Sequence, residues 1–482
     1  MAAKTLIETW IAKERRVLAA GKRRYPHFDP FLNVERHKDR LLSFLQNPAK
    51  VETHSFYPFF KSSILTPRYK KKKSEDGTGE TNRAVEIKDR PVVFAAHFDS
   101  YIYSWYATLL NEKYKRKAEK WGIYDSVLAY VEKGQSNIHF ALEACAFIKQ
   151  QTNAVALAFD IESFFDHLDH AHLERMWGTV INVRGRLPRH HFKVFQSLTA
   201  YSYVEMAALE SLFPTFFRKL ERNRQIKDPK KRLRADRICT PEAFREGVRK
   251  KGLIQTNPFV NTLSGSSRHG ERCGVPQGLP ISAVLSNIYM IEFDIRMAKL
   301  VKRMGGKYYR YSDDLLIIVE QGKEAEIQVA VQREMAACHL TINAGKTEVV
   351  YFQIGEEKMV RGYDRDGRYQ NLQYLGFEFS GQNFYIRPSS MARYHRRMAA
   401  RIRENLKAGY GKSAIGEKVF KKKLLNRYTM KGKRNFTAYG HRAAEMLNSG
   451  TIHRQIRNSI PKVMKAFDER KKKFEERKGW HP

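Results

Sequence analysis

"KYYRYSDDLLIIVE", residues 307–320, sets two adjacent aspartates, Asp313 and Asp314, between two short runs of aromatic and branched apolar residues. Short runs of this composition bounded by turn residues read as strands. Ser312 and Asp313 are good turn residues, because both side chains bond nearby backbone. The stretch therefore predicts a β-hairpin with its acids at the tip. Two carboxylates side by side repel and resist burial. The tip is either an acidic surface turn or part of a site whose charge a cation cancels.

Working outward, "NAVALAFDIESFF" (153–165) predicts a buried strand, Val155 to Phe159, that ends on Asp160. Strands of one central antiparallel sheet would bring Asp160 and the Asp313–Asp314 pair together. Converging carboxylates suit Mg²⁺, a hard ion that takes oxygen ligands and shares them with phosphates. Two such ions about 3.5–4 Å apart clamp the attacking and leaving oxygens of a phosphoryl transfer. Between these acids lie a mostly helical region (171–260) with a basic patch at 218–237, the turn "GVPQGLPIS", and an apolar helix "AVLSNIYMIEFDIRM". After the hairpin come a helix over 323–338, a strand "LTINAGKTEVVYF", a hairpin "LQYLGFEFSGQNFYIRP", and from about 388 a basic helical tail. Upstream, residues 1–50 read as helical, 67–99 as a lysine-rich hairpin and 100–150 as helical.

Composition narrows the partner. Lys and Arg total 88 against 51 acids, a net charge of +37, over 482 residues. So large an excess predicts a polyanion held with steep salt dependence. The 24 Tyr, 29 Phe and 5 Trp are mostly core, with some able to stack on bases. No segment has the ~18 apolar residues of a membrane span, so nucleic acid is favoured over membrane. The N-terminal stretch is a basic amphipathic helix without the apolar core of a secretory signal. Cys145, Cys239, Cys273 and Cys338 show no metal-ligand spacing. A reduced, cytoplasmic protein is expected.

Five segments together resemble a known family. "AFDIESFFDHLDH" (158–170), "GVPQGLPISAVLSNIYM" (274–290), "RYSDDLLII" (310–318), "LTINAGKTEVV" (340–350) and "YLGFEFSG" (374–381) are similar to motifs A to E of reverse transcriptases, in the family order. "IKDRPVV" (87–93) resembles the fingers segment before them. The resemblance implies an α+β right-hand polymerase with fingers, a palm built on an antiparallel sheet, and a thumb, mostly helical outside the palm. The expected division is fingers over 1–150, palm over 151–385 with a helical insertion at about 171–270, and thumb and tail over 386–482.

The resemblance also implies roles. Asp160, Asp313 and Asp314 would be catalytic acids and metal ligands, joined by the Ile161 carbonyl, for two Mg²⁺ ions, with Mn²⁺ as the alternative. Lys346 would protonate departing pyrophosphate. Lys88 and Arg90 would grip the triphosphate, and Gln277 and Gly278 would line the nucleotide pocket. Phe165, five residues after Asp160, would be the steric gate that favours dNTPs, with Phe164 in the core. Leu375, Gly376 and Phe377 would form the primer grip.

Two positions depart from the commonest pattern: Ala283 where many relatives have proline, and Ser312 where alanine is common. Neither removes a metal ligand. Zinc-type nuclease, retron thumb and RNase H signatures are not found. "KSSILTPRYKK", "AAHFDSYIYSWYATLL" and "VEKGQSNIHFALEA" resemble stand-alone bacterial reverse transcriptases of anti-phage defence. That likeness implies a dedicated structured non-coding RNA as template, an RNA–DNA duplex as product, and either a single chain or an oligomer. Retron-like, protein-primed or template-independent DNA synthesis, RNA-directed RNA synthesis, and non-catalytic RNA binding on a polymerase scaffold are the rival readings.

Overall fold

The run Ala154 to Phe159 has no polar face to offer solvent, so it requires a sheet position covered on both sides. The computed structural model describes residues 5–23, 25–73, 81–131, 133–225, 237–259, 272–355, 359–410 and 421–476. In it, strand Asn153–Asp160 is the centre of five. The order is Val360–Tyr363, Glu348–Ile354, Asn153–Asp160, Asp314–Glu320, Lys307–Tyr311, antiparallel throughout. Val155, Leu157, Leu316, Ile317 and Ile318 are fully buried there, and each such side chain stabilises by roughly 1.5–3 kcal/mol.

Contacts divide the chain into two units, each assembled from three segments. The first is Met1–Val131, Ile161–Arg296 and Val331–Ile342; the second is Glu132–Asp160, Met297–Ala330 and Asn343–Pro482.

In the first unit, helix Leu6–Ala19 starts on a capping box made by Thr5 and Glu8. It buries Trp10 edge-on against Tyr101 and Trp105, at 6.0 and 5.8 Å between ring centres. Both rings belong to helix His97–Lys120, whose first two amides donate to Asp29 at 2.8 Å. A buried Arg23–Glu14 pair, with Arg23 over the Tyr101 ring, ties the same parts together. Strands Pro91–Phe94, Phe59–Ser63, Ser202–Glu205 and Gln255–Thr256 make a four-stranded sheet. The lysine-rich hairpin pairs Thr66–Lys73 with Thr81–Lys88 in eight-residue register. Its tip, 74–80, and residues 226–236 of the basic patch lie outside the described residues.

In the second unit, strands Leu372–Tyr374, Phe377–Phe379 and Phe384–Ile386 form a small sheet. Among the described residues five helices follow: Pro388–Tyr410, Lys421–Tyr428, Phe436–Met446, Gly450–Ile456 and Ser459–Glu476. The four-residue spacing of Met398, Ile402 and Leu406 puts them on one face, where they pack with Leu424, Tyr428, Val463 and Phe467.

Two elements differ from expectation. The apolar helix after the Gly/Pro turn is broken at Met290 into Ser282–Tyr289 and Ile291–Arg303. Tyr289 just before the break is fixed at both sides, since its hydroxyl donates to Cys338 O (2.6 Å) and accepts from Asp169 N (3.1 Å). The strand expected from Leu340 starts only at Glu348, because Ala344–Lys346 is a 3₁₀ turn. Among the described residues, no helix is long and apolar enough to cross a membrane.

Candidate active site

In the second unit, Asp160 and Asp314 face each other directly across the two central strands. Directly opposed residues share a face of the sheet, so the register itself converges these carboxylates. Tyr311 pairs with Asp314, which leaves Ser312 and Asp313 as a two-residue hairpin loop. Ser312 takes a φ of 62°, a conformation that two-residue hairpin loops require and that usually falls to Gly, Asn or Asp. Its carbonyl accepts from Arg310 Nη1 at 3.1 Å, and Arg310 is fully buried. A guanidinium therefore braces the turn.

Lys346 donates to Asp160 Oδ2. Its 3₁₀ turn is tied to the same strand, since Asn343 N donates to the Asp160 carbonyl at 2.8 Å. Crowding by surrounding protein, then the charges of Asp313 and Asp160, push the Asp314 pKa up to about 6. Arg387 and Lys346 pull the other way. Asp314 nevertheless keeps an exposed side chain. Arg387 is a residue that sequence pattern did not single out. It is exposed, it acts electrostatically on both Asp314 and Glu348, and its backbone N donates to Gly376 O at 3.1 Å. A lone arginine after a hairpin carries no local signal.

The expected primer grip is a tight turn. Leu375 (φ 46°) and Gly376 (φ 91°) join two strands of the small sheet, as the mirror-image turns of hairpins demand. Asn137 Nδ2 donates to the Leu375 carbonyl at 3.0 Å and to Tyr439 Oη at 2.9 Å. Phe377 is buried and stacks on Tyr439, 6.2 Å between centres.

In the first unit, the turn after Ile161 and the Gly/Pro turn are sewn together by backbone. Val275 N donates to the Phe165 carbonyl (2.9 Å), Gly274 N to Leu168 O (2.9 Å), and the Cys273 thiol to Asp166 O (3.2 Å). Phe164 is buried and Phe165 only partly so. Burial raises the Asp166 pKa, against His167 and a hydrogen bond from the Gln277 side chain. Gln277 O in turn accepts from Val93 N at 2.8 Å. At Gly278 (φ 105°) a Cβ would lie 2.8 Å from Val93 O. Glycine is thus demanded there by the Val93 carbonyl of strand Pro91–Phe94. Arg90, exposed, immediately precedes that strand and exchanges backbone bonds with Ile64 (2.9 and 3.3 Å). Lys88 ends the basic hairpin and is half-buried. Ile161 bridges Ile342. The bridge uses the Glu162 N–Thr341 O bond (2.9 Å), not the Ile161 carbonyl.

Among the described residues, no three His, Cys, Asp or Glu side chains close on a point as a metal cage. Mg²⁺ is usually held by one or two carboxylates with substrate phosphates completing the shell. The facing Asp160 and Asp314, with Asp313 beside them, are oxygen donors whose mutual repulsion a divalent cation would relieve, so the donor set fits.

Residues 232–379 match the family described as reverse transcriptase (RNA-dependent DNA polymerase). The match includes Gln277, Asp313, Asp314 and Lys346, and begins after Asp160. Structures similar to the chain include the apo telomerase of Candida tropicalis, at 13% identity and a TM-score of 0.38, covering 89% of this chain and 64% of that one. A C-terminally truncated form of that telomerase gives 10%, 0.37, 68% and 57%. Telomerase of Candida albicans with a TWJ fragment of telomeric RNA gives 10%, 0.36, 90% and 67%. The chain spans 57–67% of the length of these structures. Residues 232–379 therefore resemble a reverse transcriptase domain, within a chain of mixed helix and sheet.

Proposed function

We propose, from the reverse transcriptase domain in residues 232–379, that this protein extends a primer with dNTPs on an RNA template. The observation that carries the reading is the registered Asp160–Asp314 pair with Asp313 in the adjoining turn. Asp160, Asp313 and Asp314 would hold two Mg²⁺ ions, which when bound supply charge neutralisation for the reacting oxygens. The primer 3′-oxygen attacks the α-phosphorus, the bond to the β-phosphate oxygen breaks, and pyrophosphate leaves. Lys346, already within reach of Asp160, would deliver a proton to that leaving group. Arg90 and Lys88 would bind the triphosphate, Gln277 and Gly278 would shape the base pocket, and Phe165 would exclude the 2′-hydroxyl. The grip turn Leu375–Phe377 would steady the primer end, and the Ile161 carbonyl would complete the metal shell.

A dedicated structured non-coding RNA as template and a cytoplasmic role in bacterial anti-phage defence extend this reading. They rest on the fingers segments quoted above. The direct test is primer extension with Mg²⁺ and dNTPs. Asp313→Asn, which keeps side-chain volume and removes the charge, should cut incorporation by about 10²-fold or more. Incorporation at the parent rate would refute the assignment, and preference of the unmodified protein for rNTPs would favour RNA synthesis instead.

A further inference from the structure

The edge of the five-stranded sheet carries a feature that DNA synthesis does not use. Tyr351 and Tyr363 are directly opposed on neighbouring strands, and Tyr363 bridges Tyr369 beyond the edge. Opposed residues project to one face, so the three rings form a row. Tyr363 and Tyr369 stack at 5.2 Å and 29°. Tyr369 is 72% exposed, the most of any large apolar side chain among the described residues. Arg361 lies over the Tyr369 ring at 5.7 Å and donates to its hydroxyl at 3.0 Å.

The charge around the rings is mixed, three arginines against Asp364, Asp366 and Glu324. Arg361, Arg365 and Arg368 surround them within eight residues. Asp364 is turned inward, its Oδ1 accepting from Asp366 N (2.9 Å) and Arg368 N (2.8 Å) to hold the turn. Asp366 pairs loosely with Arg368 at 3.6 Å, and Glu324 faces Tyr351 opposite Arg365. Arg365, Arg368 and Asp366 are exposed, and Arg361 and Asp364 are half-buried beside them.

The register also says which side this is. Glu348 opposes Ala158, two residues from Asp160, so Glu348 shares the face of Asp160 and Asp314. Tyr351, three residues on, projects to the opposite face, because side chains alternate. The tyrosine row therefore lies on the back of the sheet from the candidate catalytic acids.

We propose that this row is a binding platform for single-stranded nucleic acid, separate from the site of synthesis. Unpaired bases would stack on the exposed Tyr369 ring and the edges of the half-buried Tyr363 and Tyr351, while the exposed Arg365 and Arg368 meet the phosphates, chemistry that tolerates any sequence. Paired bases cannot present their faces in this way, so duplex is excluded by the same geometry.

The test uses the full chain with its duplex-binding surface saturated by an unlabelled RNA–DNA hairpin closed by a non-nucleotide linker, so that it has no unpaired bases. Fluorescein-labelled 12-mers of uridine or of thymidine are then titrated by anisotropy, and the tighter one identifies the sugar. Tyr369→Ala should weaken binding by about 5- to 100-fold, the range of one lost stacked base. Tyr369→Phe, which keeps the ring, should stay within about twofold. Hairpin affinity and extension of a short primer should be unchanged by either variant. Undiminished 12-mer binding by Tyr369→Ala overturns the proposal, as it would if the surface engaged a protein. An equal loss of hairpin affinity also overturns it, since that would mark a general charge effect.

Discussion

Phe164 and Phe165 are neighbours in sequence with different surroundings. Phe164 is buried against Tyr289, at 6.4 Å between ring centres, while Phe165 keeps partial exposure and gives its carbonyl to Val275. Trimming the Phe165 ring therefore leaves both the core ring and the backbone bond in place. Phe165→Val is expected to raise the rNTP-to-dNTP incorporation ratio by about tenfold or more, the scale of one lost or gained contact group in a pocket. The readout is paired single-nucleotide kinetics. An unchanged ratio would remove Phe165 from sugar selection. Gly278 makes the complementary point, since the residue fits its motif for a reason the motif does not state: the Val93 carbonyl stands where a Cβ would go.

Among elements, the hairpin 307–320 was legible because its signals are local: short apolar runs, a Ser-Asp turn, and alternation. The central strand and the grip hairpin were legible for the same reason. What escaped was set by distant partners. The 3₁₀ turn that delays the strand after Leu340 is held by Asp160, and the break at Met290 follows a tyrosine anchored on two other segments. Asn137, an unremarkable helix-start residue, binds a carbonyl 238 positions away. The aromatic row at 351, 363 and 369 carries no signal of its own in the sequence, because period and composition do not reveal which face a sheet leaves open. Asn137→Ala should cost about 1–3 kcal/mol, because the Leu375 carbonyl and Tyr439 hydroxyl lose their shared donor. Chemical denaturation measures it. A midpoint equal to the parent's would mean that water replaces the amide without loss.

Over the whole molecule, net charge outweighs any single contact. An excess of +37 spread over the chain predicts RNA binding governed by counterion release. A duplex contacted through six to ten phosphates should lose about 10³–10⁵ in affinity between about 50 and 200 mM salt. Affinity measured across that range checks it, and a flat log–log plot would show that the basic surface is not the binding surface. Fold class was the most legible property at this scale, because five motifs in order span both units. The interleaving of those units was not, because it depends on which strands pair.

That interleaving has a consequence for synthesis on the ribosome. Strand Asn153–Asp160 emerges with an apolar surface whose two neighbours, Asp314–Glu320 and Glu348–Ile354, have yet to be translated. The first is 154 residues away (314 − 160), a delay of roughly 8–30 s at about 5–20 residues per second. Through that interval the nascent chain displays a sticky, unpaired β segment, so its yield should depend on holding chaperones. Chains stopped at residue 305 should be recovered in aggregates or chaperone-bound, and replacing Leu157 by Lys in the stopped chain should restore solubility.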